Sequence, residues 1–193
     1  MPPKQKFSRQ EVVAAALDII RRQGLSGLTA RALAQELGCS AKPVFGLFQN
    51  MKEVQREAIA SANTLYQACL QEEMESGRHP PYKASGMGYI RFAREEKELF
   101  KLLFMRDRTQ EDIQENRQEI LPLLRLIQQN LGIDEDQAYL FHVEMWVFVH
   151  GMATMVATSY LDWDMDFVGQ VLTDAYLGIG QRFLEKGAAN GRD

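Results

Sequence analysis

Residues 28–48 read LTARALAQELGCSAKPVFGLF, and this stretch decides the fold class. Its first part predicts a short helix that begins after Thr29, whose hydroxyl can cap free backbone N–H groups. Gly38 is typical of a helix end. Between these two residues, apolar side chains recur at helical spacing, at Leu33, Ala34 and Leu37.

The second part of the stretch predicts another helix over residues 41–48, with Ser40 as its N-cap. Pro43 is compatible with the first turn of that helix, because N–H groups there have no intrahelical acceptor. Two short helices joined by a tight turn are typical of a helix-turn-helix motif. The second helix of such a motif enters the DNA major groove, and the first crosses the backbone.

From about residue 7 to residue 54, the chain resembles the TetR family of bacterial transcriptional regulators. The resemblance rests on the spacing of these residues: Leu28, Thr29, Gly38, Cys39, Ser40, Phe45 and Phe48. Two positions depart from the family pattern. Phe45 stands where tyrosine is usual, and Met51 replaces the usual lysine, with Lys52 one place later. A shift of one residue turns a helical side chain by about 100°.

The motif and the resemblance together predict a double-stranded DNA operator as partner. We expect Lys42, beside Ser40 and Ala41, to contact base edges. Other residues are expected to position the backbone or to shape the second helix: Thr29, Arg31, Pro43, Phe45, Gly46 and Lys52.

A further helix is predicted before the motif. Ser8 and Glu11 have the spacing of a capping box, and Gly24 marks the helix end. Its predicted core face consists of Val13, Ala16, Leu17 and Ile20. Three such helices, about 50 residues in all, would be only marginally stable alone, so this head should dock on the rest of the chain.

Charge is distributed unevenly along the 193 residues. The formal net charge is −4, yet residues 1–50 hold seven Lys or Arg and three Asp or Glu, a charge of +4. Residues 51–193 carry −8. The basic segment coincides with the helix-turn-helix, as electrostatic attraction to DNA requires. At the N-terminus, Lys4, Lys6 and Arg9 either form an arm that touches phosphate or belong to a disordered end.

The rest of the chain also has helical periodicity, without strand-like alternation long enough for a sheet, so the fold class is all-α. We expect a DNA-binding domain over residues 1–50 and a ligand-binding and dimerisation domain over residues 51–193. A connecting helix should run from Asn50 to about residue 75. Beyond Pro81 the periodicity stays helical, in a segment that includes Met87 and Arg94 and in an apolar run over residues 99–105. Later helices are predicted from near Thr109, with a kink or restart at Pro122, over residues 135–161 behind an Asp134–Gln137 capping box, and over residues 166–186.

The last two helices carry small residues that permit close helix packing, namely Gly151, Thr154, Thr158, Gly169, Gly178 and Gly180. Such faces suit a four-helix interface in a homodimer, although they also suit packing inside a monomer. Half-site reading on DNA favours the dimer. The stretch from Trp146 to His150 and Gly151 resembles the Trp-x-x-x-His-Gly segment of one TetR subgroup.

Aromatic and Met side chains with a few polar groups predict a pocket for a small apolar or aromatic effector. The same residues also suit an ordinary core. The candidates are Phe92, Phe100, Phe104, Met105, Tyr139, His142, Met145, Trp146, His150 and Tyr160.

The sequence does not favour an enzyme or a cofactor. His142, Glu144 and His150 suggest a metal site at first, but Glu144 lies about 200° around the helix from His142. Cys39 and Cys69 lack metal-ligand spacing and are interpreted as reduced thiols.

No signal sequence and no uninterrupted run of 18 apolar residues is present, so we expect a cytoplasmic protein without membrane contact. The sequence thus predicts a ligand-responsive homodimeric regulator, a repressor at a palindromic operator. The alternative is an all-helical small-molecule sensor or carrier whose head contacts a protein instead of DNA.

Overall fold

The computed structural model describes residues 7–107, 109 and 117–190, with side chains at 117–119 and 186–190 left aside. All regular structure in these residues is helical, which confirms the all-α prediction. The helices are α1 Arg9–Gly27, α2 Ala30–Glu36, α3 Ala41–Val44, α4 Met51–Glu75, α5 Pro81–Glu95, α6 Lys97–Phe104, α7 Arg117–Leu131, α8 Glu135–Ala157 and α9 Met165–Asn190.

The chain divides into two compact units. Unit 1 holds the described residues up to Ala68 together with Glu95–Arg106. Unit 2 holds Cys69–Arg94 and the described residues from Asp107 onward. These units are defined by packing, whereas the predicted division at residue 50 concerns roles, and that division stays a prediction.

In unit 1, α1 packs against α2 and α6. Its N-terminus has the predicted capping box: the Ser8 N–H donates to Glu11 Oε2 over 2.7 Å, and the Glu11 N–H donates to Ser8 Oγ over 3.2 Å. Gly24 interrupts the helix with φ 68°, a left-handed conformation that glycine adopts without steric cost. Leu99 and Phe100 of α6 are fully buried, so α6 supplies core that the first three helices lack.

The predicted core face of α1 is partly wrong. Ala16, Leu17 and Ile20 are buried, but Val13 is half-buried, and the fully buried residues include Val12 and Ile19. The buried face of α1 is wider than predicted, because both α2 and α6 pack against this helix.

The second helix of the motif is shorter than predicted, since α3 ends at Val44 and not at residue 48. After Val44, hydrogen-bonded turns replace the helix: the Leu47 and Phe48 N–H groups both donate to the Val44 carbonyl. Gly46 lies within this segment and has a low helix propensity. Residues 45–48 therefore form hydrogen-bonded turns and not a regular helix.

Unit 2 is built on α7, α8 and α9, which pack on one another. Its core contains Phe141 and Met145 of α8, Ile127 of α7 and Phe183 of α9. Phe141 contacts the Phe183 ring with a centroid distance of 5.9 Å. The predicted Asp134–Gln137 capping box is present at the start of α8.

One predicted helix end is wrong, and one predicted helix start falls mainly outside the described residues. α8 ends at Ala157, not at residue 161, because the Thr158 hydroxyl donates to the Thr154 carbonyl and Ser159 turns to φ 56°. α7 contains Pro122, and the helix start predicted near Thr109 falls mainly on residues outside the described part of the chain.

By length and composition, α8 is apolar enough to cross a membrane, which the sequence analysis did not single out. The core helix of a soluble protein can have the same length and apolar composition. α8 has such a core face, with Phe141, Met145, Val149 and Val156 buried inside unit 2.

Candidate nucleic-acid interface and effector site

The α2–turn–α3 segment of unit 1 forms the predicted helix-turn-helix. Thr29 caps α2 as expected, with its Oγ1 accepting from the Ala32 N–H over 3.1 Å. Gly38 closes α2 with φ 60°, in the left-handed region where a side chain would be strained. Ser40 stands at the N-cap of α3, but its hydroxyl does not make the predicted capping bond.

The residues predicted to contact DNA are mainly on the surface of this segment. Val44 and Phe48 are buried and hold the segment to the unit 1 core. Phe45 is 41% exposed. Of the other predicted residues, Thr29, Arg31, Ser40, Lys42, Gly46 and Lys52 are exposed, and Ala41 and Pro43 are half-buried.

Carboxylates near the motif are paired with arginines of α1. Glu36 of α2 accepts from Arg22 over 2.6 Å, and Glu53 of α4 accepts from Arg9 over 2.8 Å. Hydrogen bonds from the Gln49 N–H and from Arg9 lower the pKa of Glu53. Negative charge beside the motif is therefore offset internally.

Three cations of this surface, Arg31, Lys42 and Lys52, are exposed to solvent. Among the ion pairs of the described residues, none involves Arg31, Lys42 or Lys52. Asn50 caps α4 as predicted, with its Oδ1 accepting from the Glu53 N–H over 3.0 Å, and this cap fixes Lys52 in the first turn of α4.

The residues predicted to line an effector pocket are divided between the two units. Phe100, Phe104 and Met105 belong to unit 1. There the Phe104 ring lies 5.1 Å from the Phe100 ring and 5.1 Å from the Tyr66 ring, centroid to centroid. Tyr66 lies in a largely polar stretch of α4, so its sequence context does not mark it as a pocket residue.

The other predicted pocket residues belong to unit 2, where their environments differ. Phe92 and Met145 are buried, and Tyr139 packs against the core. Tyr160 is 77% exposed, in the turn after α8. The remaining three, His142, Trp146 and His150, follow one another along one side of α8 at a spacing of four residues.

Two tyrosines of α5 hold the two histidines of this row. Tyr82 Oη lies 3.2 Å from His142 Nδ1, and Tyr89 Oη lies 2.9 Å from His150 Nδ1. Burial lowers the pKa of His150, which favours the neutral ring. The sequence did not mark either tyrosine as part of a site. The tyrosines are seven residues apart and the histidines eight, so each pair spans about two helical turns.

Trp146 completes the row. Its indole stacks on the His150 ring at 5.3 Å between centroids and 18° between planes, and it remains 49% exposed. The arrangement provides an accessible aromatic face beside imidazole nitrogen atoms. Glu144 points elsewhere and accepts from Arg182 over 2.6 Å, so the three residues considered for a metal site have three different partners.

The outward stripe of α8 is apolar. Val147 is 59% exposed, and Leu140, Gly151 and Met155 share its stripe. On α9, Leu177 is 62% exposed. A Cβ built at Gly151 or Gly178 would meet no neighbouring atom of the described structure within 4 Å.

Two other glycines of α9 pack inside unit 2. A Cβ at Gly169 would lie 3.5 Å from Lys83 Nζ, and one at Gly180 would lie 3.4 Å from Leu131 Cδ2. The small residues of α9 thus divide between an inward face and an open face, which the sequence pattern alone did not separate.

Comparison with known proteins identifies the architecture. Residues 82–176 match the family model described as Tetracyclin repressor-like, C-terminal domain. A comparison with curated proteins gave no match.

Solved structures share the fold at low sequence identity. A TetR-like transcriptional regulator from Rhodococcus sp. RHA1 matches with a TM-score of 0.65 and 15% identity, over 87% of this chain and 92% of that one. A putative TetR family regulator from Vibrio parahaemolyticus matches with a TM-score of 0.59 and 17% identity, over 88% and 97%. The multidrug binding protein EbrR, complexed with imidazole, matches with a TM-score of 0.54 and 15% identity, over 86% and 93%.

Proposed function

Because this chain belongs to the TetR family of transcriptional regulators, we propose that it is a ligand-responsive repressor that binds a palindromic DNA operator as a homodimer. We place it in the cytoplasm, where its DNA is. The family assignment confirms the resemblance seen in the sequence, whereas membership of the Trp-x-x-x-His-Gly subgroup stays a prediction.

The observation that carries the proposal is the exposed basic surface of the helix-turn-helix. Lys42 is in the first turn of α3, the part of a recognition helix that reaches base edges, so we assign it base contact together with Ser40 and Ala41. Arg31 and Lys52 are assigned to phosphates, which attract cations whatever the base sequence.

Further residues of the segment complete the proposed interface. Thr29 orients α2 through its cap. Phe45 and Gly46, which are exposed directly after α3, are assigned to contact with the DNA backbone. Pro43 stiffens the first turn of α3.

The outward apolar stripes of α8 and α9 support the homodimer. Exposed Val147 and Leu177 lie on helices whose open glycines, Gly151 and Gly178, allow another helix to approach closely. Two such helices from each chain form a four-helix interface with twofold symmetry. The recognition helices would then lie about 34 Å apart, one turn of DNA.

For the effector we propose a small apolar or aromatic molecule that contacts the row formed by His142, Trp146 and His150. An exposed indole stacked on an imidazole offers a planar aromatic face with polar atoms at its edge. EbrR has been solved with imidazole, a small planar ring. The remaining predicted pocket residues stay candidates: Phe92, Phe100, Phe104, Met105, Tyr139, Met145 and Tyr160.

The test is selection of bound duplexes from a random-sequence DNA pool by the full chain. We expect an enriched inverted repeat whose half-sites lie about one helical turn apart, or a multiple of it. A pool that stays random would contradict the proposal. If the same protein still bound indole in isothermal titration calorimetry, the sensor or carrier alternative would be favoured.

A further inference from the structure

The guanidinium group of Arg9, at the start of α1, contacts four residues in two other segments of unit 1. Its Nη1 donates to the Leu47 carbonyl over 2.6 Å. Its Nη2 donates to Glu53 over 2.8 Å and to Glu57 over 3.1 Å. The guanidinium carbon also lies 4.2 Å from the centre of the Phe48 ring.

These contacts join the end of the DNA-reading segment to the beginning of the connecting helix. Leu47 and Phe48 follow α3 directly, and Phe48 is buried. Glu53 and Glu57 are one turn apart on α4. Glu53 also accepts from the Gln49 N–H over 2.6 Å, so both Arg9 and Glu53 hold the link between α3 and α4.

We propose that Arg9 is a positioning residue for DNA recognition: it fixes residues 41–48 against α4 and does not contact phosphate. This inference rests on the proposed DNA-binding function. It replaces the interpretation of Arg9 as part of a basic N-terminal arm, because Arg9 is a helical residue and its charge is offset by two carboxylates.

The chemistry requires arginine specifically. A planar guanidinium donates in two directions at once and stacks on an aromatic ring, whereas the ammonium of lysine is a compact point charge without that geometry. Lysine at position 9 would therefore keep the charge but lose the simultaneous contacts to Leu47, Glu53 and Phe48.

The two roles of Arg9 predict different results for two variants that preserve the local charge balance. Arg9→Lys keeps the cation. Arg9→Met combined with Glu57→Gln removes one charge of each sign. If Arg9 bound phosphate, Arg9→Lys would behave like the wild type. The double variant would reduce the slope of log affinity against log salt by about 1.8 for the dimer, because each of its two subunits would lose one phosphate contact worth about 0.9.

A positioning role predicts the opposite pattern. A charge-assisted hydrogen bond typically controls about a factor of ten, and the homodimer carries each substitution twice. We therefore expect both variants to lose about 100-fold of their preference for the operator over a shuffled duplex. Both should keep the wild-type salt slope. The operator used here is the duplex that the wild-type chain enriches from a random pool.

Lys52→Met provides the matched control, since Lys52 is exposed and assigned to phosphate. This variant should weaken binding to both duplexes equally and lower the salt slope by about 1.8 for the dimer, since both subunits lose a phosphate contact. An Arg9→Lys protein with wild-type preference would overturn the inference, as would a reduced slope for the double variant. Should the double variant not fold, Arg9→Lys decides alone.

Hydrogen exchange separates this inference from the proposed function. In the Arg9 variants, the amides of Gln49 and Val54 should exchange faster than in the wild type, because the link between α3 and α4 is released. If the wild type enriched no DNA sequence, the proposed function would fail, and unchanged exchange would separately refute the contacts assigned to Arg9.

Discussion

Replacement of Gly178 by leucine distinguishes a dimer interface on α9 from a free surface. In the described structure of one chain, a Cβ at this position meets no neighbouring atom within 4 Å. In a monomer, leucine would simply replace a poor helix former, which favours folding by about 1 kcal/mol. The monomer should therefore become slightly more stable.

In a dimer, Gly178→Leu should be destabilising. Overpacking an interface costs about 1–3 kcal/mol per inserted side chain, and twofold symmetry applies this cost twice. The total is about 2–6 kcal/mol per dimer. Since each 1.4 kcal/mol changes an equilibrium constant by about tenfold, the dimer dissociation constant should rise roughly 30-fold to 20,000-fold.

Sedimentation velocity over a range of protein concentrations measures this change in Gly178→Leu directly. Gly180→Leu is the control: its side chain would meet Leu131 and Phe141 inside unit 2 and should lower the melting temperature. A Gly178→Leu protein that dimerises like the wild type would refute the interface, and so would a wild-type chain that sediments as a monomer at micromolar concentration.

Three further predictions concern DNA, effector and pH. Arg31→Ala should weaken binding to all duplexes and flatten the salt slope, whereas Lys42→Ala should also change the sequence selected from a random pool; an unchanged site and affinity would remove Lys42 from the interface. Trp146→Ala should abolish the loss of operator affinity caused by aromatic compounds, about fivefold to 150-fold in the wild type, and an equally responsive variant would exclude this residue. Burial lowers the pKa of His150, so its contribution to stability is present above pH 6.5 and is lost as pH falls through its folded pKa. The melting temperature of His150→Gln should therefore fall less steeply than that of the wild type between about pH 7.5 and about pH 5. Parallel curves for the two proteins would contradict this.

Local signals in the sequence predicted the helix starts well. The hydrogen bonds of the Ser8, Asn50 and Asp134 caps join residues three apart, so short sequence patterns contain all the information needed. Helix ends were less predictable. The length of α3 and the end of α8 depend on competition between a helical bond and an alternative turn, which a periodic pattern does not resolve.

Contacts between distant residues could not be read from the sequence. The Tyr89–His150 pair depends on the register between α5 and α8, and the Arg9 contacts join residues 38 to 48 positions apart. Apolar composition also did not separate Met145, which is in the core, from Trp146, which is half-exposed. Neighbouring side chains on a helix point in different directions, and only tertiary packing decides which direction is covered.

The most direct test of the account is the affinity of the wild-type chain for its enriched duplex and for a shuffled duplex of the same composition, across a series of salt concentrations. We predict a preference of at least about 10³ for the enriched duplex, with both affinities falling as salt rises. Equal affinity for the two duplexes, or binding that is independent of salt, would contradict sequence-specific DNA recognition by this protein.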